Sequence, residues 1–200
     1  MANLKNRKLS RYRKQDSFSL IDVQIRNLEQ IYDSNDPAPS SERDLSTKVV
    51  EYLVSSIEEL GLNTPSRIVI HCQEDPQILN PSKDLEESIQ NYFASEATVL
   101  KRKVGQSFKQ GRVFLLIGFT TLFSLLTVAE LLSNYDLPFK NILKEGLVIT
   151  GWVTMWKPLE VFLYDWRPIH YKQKCYEMLS KSPVDLKIQN ENSPTKKSLE

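Results

Sequence analysis

The sequence predicts an α+β protein, with a transmembrane helical hairpin inserted in a small cytoplasmic α+β domain of two or three strands. Three observations carry this. Two long apolar runs, Val113–Leu132 and Gly146–Trp166, lie close together in the second half of the chain. Short β-type segments occur at Phe18–Ile25 and Arg67–Cys72. Between and after them, apolar residues recur at helical spacing. Mean hydropathy is nonetheless negative, so the apolar residues are concentrated rather than spread. Two hundred residues allow one modest soluble domain plus a membrane element.

The chain opens on a basic arm, residues 1–16, with Lys5, Arg7, Lys8, Arg11, Arg13 and Lys14 around Tyr12. No apolar stretch follows it, so it is not a secretory signal. It reads as a disordered, solvated tail, with contact to anionic lipid as its functional reading. A net charge of +1 argues against a general nucleic-acid binder, and no specific nucleic-acid partner is expected.

Residues 17–111 form the expected soluble domain. Ile21, Val23 and Ile25 alternate with Asp22 and Gln24, which predicts a strand. A short helical turn follows through Leu28, Ile31 and Tyr32, then a loop from Ser34 to Ser41 containing Asp36-Pro37 and Pro39. Ser41 with Asp44 resembles a capping box. It opens a helix whose stripe is Leu45, Val49, Tyr52, Leu53, Ile57 and Leu60; Gly61 stops it. Arg67–Cys72, reading RIVIHC, is a strand. After a loop with Pro76 and Pro81, a long helix is expected from about Ser82–Asp84 nearly to Gly111. Its stripe is Leu85, Ile89, Tyr92, Phe93, Leu100, Val104 and Phe108.

Residues 112–166 form the expected hairpin. A helix of about 20 residues crosses a hydrocarbon core of roughly 30 Å. Thr120, Thr121, Ser124 and Thr127 fit the first helix because their hydroxyls bond back to helix carbonyls. With Gly118, they also suit close helix packing. The connector, Ser133 to Asn141, holds Asn134, Asp136 and Pro138, which favour a turn. Lys101, Arg102, Lys103, Lys109 and Arg112 precede the first helix, and Arg167, Lys172 and Lys174 follow the second. Only Lys140 and Lys144 lie near the connector, so both termini are expected in the cytoplasm of a multi-pass inner-membrane protein.

The second helix carries Lys157, Pro158 and Glu160. Charges are costly at the centre of a spanning helix, but residues three apart share a face and pair. Pro158 leaves the Thr154 carbonyl without its helical donor, so a kink is expected. A span beginning at Gly146 puts Lys157 near mid-bilayer; one beginning at Ile142 lets it reach the cytoplasmic headgroups. Residues 167–189 are expected to return a helix, Pro168–Leu179, and a strand at Val184, Leu186 and Ile188. Residues 190–200 read as a disordered polar tail.

No phosphate-binding glycine loop and no G-x-S-x-G, HExxH or CxxC pattern occurs. His71 is the one acid/base candidate, with Asp36, Glu42 or Asp44 as companions. His71 and Cys72 point to opposite faces of a strand, and two cysteines, Cys72 and Cys175, imply neither a disulfide framework nor a metal site. No cofactor is expected.

Three segments resemble a family of small, uncharacterised bacterial membrane proteins with two transmembrane helices: Ile31–Leu45 leading into Val49–Gly61, Gln110–Phe119, and above all Glu145–Ile169, EGLVITGWVTMWKPLEVFLYDWRPI. The likeness spans roughly Phe18 to Lys187. It implies a membrane location and a hairpin, and no particular activity, substrate or cofactor. This chain departs from the family pattern at Lys157, where arginine is usual, and at Arg167, where tryptophan is. Lysine lacks the planar fork of a guanidinium, which removes bidentate recognition there.

The functional expectation is therefore a non-enzymatic membrane anchor that binds a protein partner or assembles as a homo-oligomer. The contact residues would be Trp156, Lys157, Glu160, Tyr164, Asp165 and Trp166. The alternatives are a transport or channel component using Lys157 and Glu160, and a membrane-tethered enzyme near His71.

Overall fold

A computed structural model describes residues 12–37, 43–73, 81–135 and 138–188. The chain is a mixed α and β structure with one four-stranded sheet. It divides into two compact units: a sheet unit, Met1–Thr98 with Lys172–Glu200, and a hairpin unit, Val99–Tyr171.

The strands are β1 (Lys14–Gln15), β2 (Phe18–Ile25), β3 (Ser66–Cys72) and β4 (Val184–Ile188), in that spatial order. β2, β3 and β4 run parallel, and β1 is antiparallel to β2. Parallel neighbours need long crossovers. α1 (Thr47–Leu60) lies between β2 and β3 in the chain, and everything from residue 73 to 183 lies between β3 and β4. The hairpin unit is thus an insertion within one crossover of a parallel sheet. That is why β4 pairs with β3 only after the chain has returned.

Alternation assigns the two faces of the sheet. Ile21, Val23 and Ile25 pair with Ile68, Ile70 and Cys72, and all six are buried. They form the core with Leu53 and Ile57 of α1, and with Leu85, Ile89, Phe93, Tyr176 and Leu179. Asp22, Gln24, Arg67, His71, Asp185 and Lys187 belong to the other face, by the same alternation.

Several expectations need correction. The sheet has four strands rather than two or three. The additional one, β1, takes the last residues of the basic arm and joins β2 through Asp16 and Ser17, both with positive φ; this is the geometry of a two-residue hairpin turn. Residues 1–11 of the arm lie outside the described residues, as do Ser41, Glu42 and the tail 190–200. α1 begins at Thr47 with Ser46 as its N-cap, and no capping side-chain bond forms. Leu45 pairs with Tyr32 in an isolated bridge instead of opening the helix. Gly61 ends α1 at φ +85, where a side chain is disfavoured.

α2 (Pro81–Ser133) is one continuous helix of 53 residues. Pro81 suits its first turn, where a missing N–H costs nothing. Its part from 82 to 133 is long and apolar enough to cross a membrane, and it is the one helix among the described residues that is. The second apolar run is not one α-helix. α3 (Lys140–Thr154) has 15 residues, about 22 Å. The α-helix breaks at Met155 and resumes as α4 (Trp156–Glu160). It then widens into a π-helical segment, Val161–Asp165, before α5 (Trp166–Leu179). The break follows Thr154, whose carbonyl Pro158 cannot serve, because proline disturbs the turn before it through its ring and its absent N–H.

Candidate functional site

In the hairpin unit, the two helical arms run antiparallel with a close seam. A Cβ at Gly111 would meet Val161 and Phe162 at 3.0 and 3.1 Å. One at Gly118 would meet the Thr154 carbonyl at 3.1 Å and Met155 at 3.3 Å, and one at Gly151 would meet Leu122 at 2.8 Å. Gly111 and Gly118 are seven apart, hence on one face of α2. The Thr154 hydroxyl donates to the Gly151 carbonyl at 2.6 Å and also lies 3.4 Å from the Gly118 carbonyl. The hydroxyls of Thr120, Ser124 and Thr127 donate back to carbonyls four residues earlier, each at 2.8 Å, so they cost the helix no unsatisfied group. At the connector end, Lys144 donates to Ser133 at 2.8 Å and to Glu130 at 3.2 Å.

This register fixes the level of the charged residues. Each step down α2 is one step up the other arm, so Lys157 lies level with Leu115 and Glu160 with Arg112. Both therefore sit where the uncharged run of α2 begins, about two residues from Val113, not at its middle. The Lys157 ammonium bonds Glu160 at 2.9 Å and lies 3.9 Å from Asp165. In an α-helix, a residue eight positions on is turned about 80° away. The wider π turn takes back part of that rotation and returns Asp165 to the lysine's face. Extra turns of this kind recur at functional sites.

The six expected contact residues thus fall on one stretch. Trp156 is 72% exposed and Tyr164 62%, while Lys157, Glu160 and Asp165 form the ionic cluster. Trp166 turns inward: its indole N–H donates to the Phe162 carbonyl at 2.8 Å, and its ring packs at 5.7 Å from both Phe108 and His170. Phe108 also meets Phe162. The spacing of Phe108 predicts a helical stripe, but its role in this aromatic cluster appears only once the arms are aligned.

In the sheet unit, His71 bonds Asp22 of β2 at 2.8 Å, not Asp36 or Asp44. Asp36 instead accepts the Asp44 backbone N–H at 2.8 Å, and Glu42 lies outside the described residues. Arg13 donates through Nε and Nη2 to both Asp22 oxygens. A cavity of about 360 Å³ beside Asp22 is lined by Tyr12, Leu20, Tyr52, Ser55, Ser56 and Glu59, without His71. Partial burial pushes the Asp22 carboxyl up. The hydrogen bonds and charges of Arg13 and His71 push it down and outweigh burial, leaving it below its ordinary 3.8.

A folded-state value below the unfolded one adds stability that is present above pH 3.8 and is lost as pH falls through the folded value. Asp22→Asn should therefore flatten the acid limb of the sheet unit's unfolding midpoint below about pH 4. An acid limb as steep as wild type would show that Asp22 contributes nothing there. Cys72 and Cys175 are both buried, and neither forms a disulfide among the described residues. Burial pushes Cys175 up to about 11, so it is a poor nucleophile. Among the described residues no group of three or more His, Cys, Asp or Glu is placed to hold a metal.

Comparison of the chain with protein-family models, with curated proteins and with solved structures gave no match.

Proposed function

We propose that the chain is a multi-pass inner-membrane protein whose helical hairpin anchors a cytoplasmic sheet domain, and that it acts without enzymatic chemistry, by binding a protein partner. The observation that carries this reading is the distribution of exposed apolar surface. Large exposed apolar side chains crowd the hairpin unit, among them Leu116, Ile117, Phe119, Phe123, Ile142 and Ile149, each 58–70% exposed. Water does not favour such a surface; hydrocarbon does. The sheet unit exposes only Tyr52 and Ile188 among its described large apolar residues.

From Lys140 to Asp165 the second arm, even with its break at Met155 and its π segment, has more than the roughly 20 residues that cross a hydrocarbon core. The basic residues of α2 before Val113 and those after Trp166 support cytoplasmic termini. The resemblance of Glu145–Ile169 to two-helix bacterial membrane proteins belongs to the same reading. The level of Lys157, Glu160 and Asp165 supports a headgroup-depth patch with Trp156 and Tyr164 rather than an ion path through the bilayer. Aromatic and charged residues together favour that depth.

If this patch holds a partner, Lys157→Ala and Glu160→Ala each weaken capture of that partner several-fold in crosslinked membranes, with expression unchanged. Unchanged capture in both variants would sink the partner-binding role.

A further inference from the structure

We infer that the outer edge of β4 is a pairing surface for a second copy of this chain. This rests on the sheet unit alone and stands whether or not the hairpin lies in a bilayer. The sheet ends at β4, and among the described residues no strand lies beyond it. The Ile68 N–H donates to the Pro183 carbonyl at 2.9 Å, so alternate residues Val184, Leu186 and Ile188 direct their backbone groups outward. Side chains of α2 tend the start of this edge: Glu86 accepts the Val184 N–H at 3.3 Å, and Gln90 donates to the Ser182 carbonyl at 3.3 Å. Nothing comparable meets Leu186 or Ile188 among the described residues.

The edge is complementary to itself. Two β4 strands paired antiparallel about Leu186 set Leu186 opposite Leu186, with mutual N–H to carbonyl bonds. Val184 then meets Ile188 of the second copy on the core side, with the Val184 N–H passing from Glu86 to the Ile188 carbonyl, and this covers a side chain that is 43% exposed. On the polar side Asp185 falls opposite Lys187 of the second copy, and Lys187 opposite Asp185. Opposite charges directly across strands are stabilising and like charges destabilising. An edge lysine ordinarily deters pairing; here its cross-strand neighbour is a carboxylate. Arg67, 2.9 Å from Asp185, holds that carboxylate on the polar face. The symmetry is a two-fold, with the same surface given by both copies.

The test uses the full chain in mild detergent, with protein mass measured by light scattering. Wild type should have dimer mass. Lys187→Asp and Asp185→Lys each put like charges across the joint and should weaken dimerisation at least about tenfold. Mixing the two variants restores opposite charges and should recover a heterodimer. A second measurement does not depend on charge: non-hydrogen-bonded antiparallel partners have Cα atoms about 4.5 Å apart, within disulfide reach. Asp185→Cys mixed with Lys187→Cys should therefore crosslink under oxidation far more than either alone. A monomeric wild type, a dimer that persists in both charge variants, or no preferential crosslinking in the mixture would each overturn the inference.

Discussion

Replacing Phe93 with alanine is expected to cost the sheet unit about 3–5 kcal/mol, the usual range for removing a buried phenyl ring. Phe93 is fully buried. It meets Tyr176 edge-on at 5.2 Å and Tyr92 at 5.4 Å. Tyr176 lies on α5 and Phe93 on α2, so this contact joins the outgoing and returning helices of the long insertion. Its loss leaves a cavity and also frees β4, which reaches the sheet only through α5. Domain stabilities are about 5–15 kcal/mol, so the variant should be close to unfolded at physiological temperature. Hydrogen exchange of β2–β4 amides measures the change. A loss below about 1 kcal/mol would mean that the crossover helices are not held where described.

Gly151→Leu should have the largest effect in the hairpin unit. A Cβ there would meet a Leu122 methyl at 2.8 Å, and the Leu122 backbone is also near, at 3.6 Å. Overpacking typically costs about 1–3 kcal/mol, and helices in lipid depend on such close approaches. Gly146→Leu is the control, because nothing lies within 4 Å of the Cβ it would add. The expected result is a lower thermal midpoint in detergent for the first variant and little change for the second. Equal effects would mean that the seam does not depend on small residues.

β2, β3 and β4 were legible in the sequence because their apolar residues alternate and turn residues bound them. β1 was not: two residues carry no periodicity, and Asp16-Ser17 lacks the glycine or asparagine that usually marks so tight a turn. The start of α1 was misread because Leu45 fits the helical stripe by spacing, although its backbone pairs with Tyr32. The level of Lys157 could not be read either. Periodicity along one helix says nothing of its register against another, and that register follows from where Gly111, Gly118 and Gly151 allow close approach. The π segment likewise has no composition of its own, so the return of Asp165 to the lysine's face was invisible until the turn was seen. His71 lies on the strand that its segment predicts, but its partner, Asp22, comes from the neighbouring strand.

The proposed membrane hairpin, with both flanking segments in the cytoplasm, is best checked by labelling single cysteines with an impermeant thiol reagent in intact spheroplasts. Cys175 cannot serve as the inner reporter because it is buried; exposed Glu51 and Lys172 can, as Glu51→Cys and Lys172→Cys. Tyr135, beside the connector and 64% exposed, reports the outer side as Tyr135→Cys. With that topology, Tyr135→Cys is labelled before lysis, and Glu51→Cys and Lys172→Cys only after it. Labelling of Lys172→Cys in intact spheroplasts, or protection of Tyr135→Cys until lysis, would rule that topology out.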